Sequence, residues 1–298
     1  MFADISAKEN AGERPVYPIL DNKEPIISIV KDKEARMTRI ELEYKHEVMP
    51  DEIKPTMAGY MTGLLNSVVS TIMGYRFEEI TQQADAPFVA GFAEYGELVK
   101  SKDAFQLLAI PKEGLEQQGL KALLLEAEKM KRFGFTNAEV ERAKTDILKS
   151  LENAYNDREN QRNRDLVREY VRHFLDGEVI PGIEWEYQTA QMLIPQLTAD
   201  LINQVVKNYV TDENMVVSFM APDKPSVLVP SEEAILRTIA EVKAAELTAR
   251  EEEDLNRPLI ETAPKAGKIK KTEQDKIFGT TTWKLANGVK VVFKKTDF

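Results

Sequence analysis

Residues 131–155 read KRFGFTNAEVERAKTDILKSLENAY and contain the end of one helix and the beginning of another. Gly134 follows a run with apolar residues at helical spacing, and glycine commonly ends a helix. Thr136 and Glu139 have the spacing of a capping box, in which each side chain satisfies a backbone N–H group of the first turn. The stretch therefore predicts two consecutive long helices joined by a short turn.

Further helices are predicted on both sides of this turn. The first long helix covers about 115–133, and the second runs from 137 past 155 toward 175, where Gly177 ends it. The predominantly charged and amide residues of 156–168 predict a solvated face. Other patterns predict helices over 185–193, 198–209, which Thr198 caps, and 231–249.

An apolar run with helical spacing also lies near the start of the chain, over about 52–82. Pro50 and Asp51 precede it, and Asp51 is a suitable N-cap residue. Gly74 lies inside the run, and glycine is unfavourable in a helix interior. We therefore predict a pair of helices that Gly74 separates.

Strands are predicted where the apolar residues alternate or form short runs. Ile40, Leu42 and Tyr44 alternate with charged residues, which indicates a strand with one solvated face. Residues 88–99 and 104–110 predict a hairpin with its turn at 100–103. The other predicted strands are 26–30, 216–220, and 281–285 with 289–294, which flank an Asn-Gly turn signal.

The order of these elements predicts an α+β fold: a mostly antiparallel sheet packed on one face by several helices, in two layers. Four segments are expected along the chain. Residues 1–24 form a lead-in or the tail of a preceding module, and 25–249 form the main module. Residues 250–277, rich in charges and prolines, form a linker, and the hairpin of 278–298 begins a next module or joins the sheet edge.

The composition excludes several classes of protein. The chain of 298 residues has a formal net charge of −10, which argues against nucleic acid as a partner. No apolar run approaches the roughly 18 residues of a membrane span. Cysteine is absent, so disulfides and thiol chemistry are excluded. The first residues lack the basic and apolar regions of a signal peptide, and the compartment stays unknown.

A zinc site is not predicted either, because a catalytic site usually needs three protein ligands. The two histidines, His46 and His173, are far apart in the sequence, and neither has a second histidine nearby. H-E-x-x-H and H-x-x-E-H are both absent. We expect His173 to be a half-buried structural residue on a long helix, and His46 to face solvent.

Several stretches nevertheless resemble modules of the pitrilysin/insulinase zinc peptidases. Residues 64–95, LLNSVVSTIMGYRFEEITQQADAPFVAGFAEY, resemble the family's passage from helix to strand, and GFTNAEVERAK opens a helix as in these modules. YVRHFLDGEVIPGIEWEY at 170–187 and TDENMVVSFMAP at 211–222 are similar to bacterial members. TTWKLANGVKVVFKKTDF at 281–298 resembles the hairpin that starts a following module.

In this family the first helix of the catalytic module carries H-x-x-E-H, with two zinc-binding histidines and a glutamate as general base. The corresponding helix here is about 52–72, and it has no histidine and no carboxylate after Glu52. The resemblance therefore implies a non-catalytic module, the second of four, with no metal ligand and no catalytic residue. Its expected partners are the catalytic module of the same polypeptide, which holds the zinc, and unfolded peptide substrates. Bacterial relatives imply a periplasmic parent.

Tyr75 and Arg76 loosely resemble the tyrosine and arginine with which distal modules of the family hold substrate carbonyls, and they are the candidate substrate contacts. Glu78-Glu79 and Glu184-Trp185-Glu186 bring carboxylates together, but no nucleophile or metal accompanies them, which favours a surface role. Two other functions stay open. A non-peptidase assembly subunit of the same fold would expose a large apolar interface, and an independent hydrolase would need two facing acids in a deep pocket.

Overall fold

The computed structural model describes residues 17–252 and 260–296, together with positions 4, 6, 12, 15 and 258. The lead-in predicted for 1–24 therefore lies largely outside the described residues. The chain divides into two compact units, one within Met1–Glu253 and one within Asp254–Phe298.

The first unit contains a five-stranded sheet in the order β1-β5-β2-β4-β3. The β1–β5 pair is parallel, and the other three pairs are antiparallel, so the predicted α+β fold with a mostly antiparallel sheet is confirmed. The strands are β1 Ile26–Asp32, β2 Arg39–His46, β3 Phe88–Val99, β4 Lys102–Pro111 and β5 Met215–Pro222.

Helices pack on one face of this sheet. They are α1 Met57–Thr81, α2 Glu116–Phe133, α3 Asn137–Asn156, α4 Asn163–Asp176, α5 Ile183–Leu193, α6 Ala199–Val206 and α7 Glu232–Ala244. Helix α1 packs on β3, and α2 packs on β2 and β4. The remaining helices extend this layer, except that every described side chain of α4 is at least partly exposed.

The core lies between the helices and the face of the sheet that they cover, where alternate residues of β2, β4 and β5 are buried. Ile40, Leu42 and Tyr44 of β2 are almost completely buried. In register with Leu42 stand Leu107 of β4 and Val217 of β5, which are equally buried. Burying each such side chain contributes about 1.5–3 kcal/mol, which fixes the register of the sheet.

Several predicted helix boundaries are wrong, and the last predicted helix, 231–249, ends at Ala244. Helix α1 runs without a break through Gly74, and it begins after Thr56, whose hydroxyl accepts a hydrogen bond from Gly59 N, rather than after Asp51. The second long helix ends at Asn156, and α4 follows a 3₁₀ turn at Arg158–Asn160. There the side chain of Asn160 donates to Asp157, a local bond that competes with helix continuation.

The second unit is a three-stranded antiparallel sheet in the order β6-β7-β8. Its strands are β6 Ile269–Asp275, β7 Thr280–Leu285 and β8 Lys290–Phe293. The Asn-Gly signal forms the predicted turn, with Gly288 at φ 89°. Strand β6 lies inside the range that the sequence predicts as a linker, because its partner β7 supplies the pairing that its polar sequence does not reveal.

Candidate functional site: the cleft between helix α1 and the sheet

A cleft of about 770 Å³ opens between one face of α1 and strands β2, β3 and β4. The helix contributes small and polar residues at helical spacing: Gly63, Asn66, Ser67, Ser70 and Thr71. The strands contribute charged, amide and apolar side chains: Arg39, Glu41, Phe92, Glu94, Gln106 and Leu108. Such a volume accommodates several residues of a peptide or a small molecule.

Helix α1 has two different faces, and only one of them borders the cleft. Leu64, Val68 and Ile72 belong to the buried face and hold the helix in the core. On the cleft side, Asn66 accepts a hydrogen bond from the hydroxyl group of Tyr209, which fixes its amide. The helix therefore presents hydroxyl groups and a fixed amide to the cleft.

Strand β3 forms one wall of the cleft and one edge of the sheet. Residues 92–95 line the cleft in succession. Within the described part of the chain, β3 pairs with β4 on one side and with no strand on the other. Its outer edge therefore carries backbone donors and acceptors that an extended chain can pair with.

The side chains of this cleft do not fit a zinc ion. Zinc in proteins is held by imidazole, thiolate or carboxylate groups, and the α1 face offers none of these. No group of three or more His, Cys, Asp or Glu residues that could hold a metal is found in the described ranges. Glu41 in the strand wall is already paired with Arg39 at 2.6 Å. The arrangement is suited to binding by hydrogen bonds and apolar contact.

Both histidines differ from their predicted settings. His46 is half-buried rather than solvent-facing: its Nε2 lies 3.1 Å from the carbonyl oxygen of Tyr209. Burial lowers the pKa of His46, although that hydrogen bond opposes the shift. His173 is exposed rather than half-buried, on a helix of 14 residues, and its Nδ1 donates to the carbonyl oxygen of Glu178 at 2.6 Å.

The candidate substrate contacts Tyr75 and Arg76 both lie outside the cleft lining. The hydroxyl group of Tyr75 donates to Asp146, and the guanidinium of Arg142 stands 4.0 Å from the centre of its ring. Arg76 is 2% exposed and makes two hydrogen bonds to Glu139, at 2.7 and 2.9 Å. These contacts favour a structural role, and the role in substrate binding stays a prediction.

One property of the sequence of α1 indicates the cleft. From Met57 to Tyr75 helix α1 has no charged residue, and small residues recur on one side of it at positions 63, 67, 70 and 74. A helix without a charged face must be covered on most sides or border a cleft. The strand wall could not be predicted, because it depends on which strand lies at the sheet edge.

The fold is that of the protease modules that the sequence motifs indicate. The periplasmic protease PqqL of Escherichia coli superposes with a TM-score of 0.69 at 20% identity, over 97% of this chain and 32% of that one. A peptidase M16 inactive domain of Pseudomonas fluorescens superposes with a TM-score of 0.50 at 14% identity, over 74% and 48%. No family model matches the sequence.

The sequence itself is similar to a plant relative over its whole length. A zinc protease PQQL-like protein of Arabidopsis thaliana is 23% identical over 297 residues, which is all of this chain and 28% of the relative. The resemblance to pitrilysin/insulinase-type zinc proteases is therefore confirmed. The chain spans only about three tenths of the length of this relative and of PqqL. In the described part, none of the helices has the length and apolarity to cross a membrane.

Proposed function

We propose that this chain is a non-catalytic module of a zinc metallopeptidase, which lines a substrate chamber and supports peptide hydrolysis by a separate catalytic module. The observation that carries the proposal is the cleft face of α1, the helix that corresponds to the metal-binding helix of catalytic modules. It presents Gly63, Asn66, Ser67, Ser70 and Thr71, which hold no metal and activate no water. Zinc belongs to the catalytic module of the parent, and no step of hydrolysis uses a residue of this chain.

The neighbouring edge of β3 suggests how the module handles a substrate. An unfolded peptide is extended and has unsatisfied backbone groups, which pair readily with a sheet edge. The cleft beside residues 92–95 gives room for its side chains. In this proposal the module holds an unfolded segment along β3 while the catalytic module cleaves it.

The organisation of the parent follows from the same proposal. Residues 25–249 form the module, and the three-stranded sheet that contains the hairpin of 278–298 begins the next module, so the connection is shorter than the 250–277 that the sequence predicts. The similarity to PqqL, described as a periplasmic protease, supports a periplasmic parent. The protein partner is the catalytic module of the same polypeptide, and neither nucleic acid nor a membrane span is part of the proposal.

Filling the cleft is expected to reduce assisted cleavage. Glu94 lines the cleft on an exposed position of β3, so Glu94→Trp places a large indole in it without disturbing the core. The proposal predicts a gain in quenched-peptide cleavage when the chain is mixed with the catalytic module, and in this variant we expect that gain to fall by about tenfold, or about 1.4 kcal/mol.

The matched control is Glu97→Trp, an exposed position on the same strand that does not line the cleft. This variant is expected to support cleavage as well as the unchanged chain. Equal activity of the two tryptophan variants would show that the cleft takes no part in substrate handling.

The surface of α4 favours a second candidate, a non-peptidase assembly or binding subunit of the same fold. Its exposed apolar residues follow helical spacing: Val167, Tyr170, Val171, Phe174 and Leu175. Such a stripe commonly packs against a partner. Sedimentation equilibrium separates the two candidates. Stable self-association of the chain is expected only of an assembly subunit, and Phe174→Asp should then abolish it.

A further inference from the structure

A second cleft, of about 560 Å³, borders the first at Gly63 and Ser67 and lies between the beginning of α1, α3, α5 and the loop that precedes α5. Its walls are mainly apolar and aromatic: Met57, Tyr60, Leu64, Leu151, Val179 and Trp185. The rings of Tyr60 and Trp185 meet edge to face with their centres 5.0 Å apart. The hydroxyl group of Tyr60 donates to the carbonyl oxygen of Glu186 at 3.1 Å, which holds this wall in place.

One carboxylate in this apolar setting lacks a cation. Glu186 is half-buried and lines the cleft, and no Lys, Arg or His among the described residues lies within 4.0 Å of its carboxylate. Its neighbours differ: Glu184 pairs with Arg158 at 3.1 Å, and Glu178 pairs with Arg172. Lys54 also lines the cleft, but its ammonium group binds Asp51 at 2.8 Å.

The charges around Glu186 leave a surplus of negative potential. Burial raises the pKa of Glu186, and the nearby carboxylates of Glu169 and Glu178 raise it further, while Arg172 opposes them. A cation that enters the cleft would relieve this repulsion and restore the lost solvation.

Helix stabilisation alone does not account for this arrangement. Glu184 and Glu186 both stand in the first turn of α5, where a carboxylate interacts favourably with the helix dipole. Glu184 provides that interaction from an exposed position, already paired with an arginine. Of these two glutamates, only Glu186 lines the cleft, beside Trp185, a residue that is 38% exposed and so accessible to a ligand.

We propose that this cleft binds an arginine side chain of a peptide, with the guanidinium at Glu186 and the methylene stem along Trp185 and Leu151. Arginine fits better than lysine because its flat, weakly hydrated cation stacks on aromatic rings and bonds a carboxylate through two nitrogen atoms. The assignment to a peptide substrate rests on the proposed chamber function, whereas binding of the cation does not.

The test is a titration of the full chain, ¹⁵N-labelled at tryptophan, with N-acetyl-arginine amide. The chain has two tryptophans, so the indole signal of Trp185 reports on the cleft, and that of Trp283, in the second unit, is the internal reference. We expect the Trp185 signal to shift with saturation, and Glu186→Gln to weaken binding by about tenfold or more. Glu184→Gln, in the same helical turn, is expected to bind as the unchanged chain does.

N-acetyl-citrulline amide, which has the same shape without the charge, is expected to leave Trp185 unshifted. Equal shifts with the arginine and citrulline compounds, or unchanged affinity in a folded Glu186→Gln variant, would overturn the cation site. The titration needs no catalytic module, so its result does not depend on the chamber function. Binding that Glu186→Gln removes without altering assisted cleavage of arginine-containing peptides would keep the cation site and refute its role in substrate binding.

Discussion

Replacing Arg76 by alanine is expected to lower the free energy of unfolding of the first unit by about 3–5 kcal/mol, because it removes the cation that hydrogen-bonds the largely buried carboxylate of Glu139. The cation that then remains beside Glu139 is Arg250, at 3.9 Å, beyond hydrogen-bonding distance. Arg76 makes two hydrogen bonds to Glu139 and donates to the carbonyl oxygen of Gly134 at 3.0 Å. Its Nη1 lies 3.9 Å from Glu126, whose side chain is almost fully buried. The arginine thus joins α1 to α2 and α3.

Urea unfolding followed by tryptophan fluorescence measures this effect. In a Trp283→Phe background the signal comes from Trp185 alone and reports on the first unit. Arg164→Ala is the matched control, since Arg164 is an exposed helix residue beside Asp165, and a change within about 0.5 kcal/mol is expected. A loss below about 1 kcal/mol for Arg76→Ala would show that the cluster does not hold the helices together.

The same cluster predicts how the effect depends on pH. Burial would raise the pKa of Glu139, but the hydrogen bonds and charge of Arg76, together with the Thr136 N–H group and the charge of Arg250, hold the pKa below its ordinary value. A lowered pKa contributes stability above the pKa of the unfolded chain, about 4.3, and this contribution is lost as the pH falls through the folded value. The difference between the unchanged chain and Arg76→Ala should therefore shrink in acid.

Replacing Gly134 by alanine is expected to destabilise the first unit by about 3 kcal/mol, for two reasons that add. Gly134 has φ 69° and ψ −144°, a conformation that is open almost only to glycine. A Cβ atom there would also lie 2.2 Å from Oδ1 of Asn203. That oxygen accepts from Phe135 N at 2.7 Å, and the amide of Asn203 donates to Phe135 O at 2.9 Å.

Gly177→Ala is the control for this substitution. Gly177 also follows a helix and has φ 70°, but its ψ of 14° is ordinary left-handed backbone, and a methyl group added at that site would meet no described atom within 4 Å. A loss of about 1 kcal/mol is expected there. Equal losses in the two variants, measured by urea unfolding, would mean that the contact with Asn203 does not lock the turn between α2 and α3.

The sequence predicted those elements whose signals are local. The alternation of Ile40, Leu42 and Tyr44 with charged residues identified β2. Thr136 with Glu139 identified the beginning of α3, where the structure has both hydrogen bonds of the capping box. Gly74 misled because its cost in a helix, about 1 kcal/mol, is smaller than the gain from burying Met73 and Phe77 on either side of it.

The remaining features depend on contacts between distant residues. Arg76 and Glu139 are 63 positions apart, and nothing in either local sequence indicates that they pair in the core. The wall of the α1 cleft depends on the order of strands, and strand β6 depends on pairing with β7. The resemblance to a protease family predicted the fold, but it could not show which face of α1 remains open.

The most direct test of the non-catalytic role is zinc content and quenched-peptide cleavage of the chain alone, followed by cleavage after mixing with the catalytic module of its parent. The cleft face of α1 offers no imidazole, thiolate or carboxylate. We therefore predict no bound zinc and no cleavage by the chain alone, and a rise in cleavage on mixing. Stoichiometric zinc, or chelator-sensitive cleavage by the chain alone, would contradict the account.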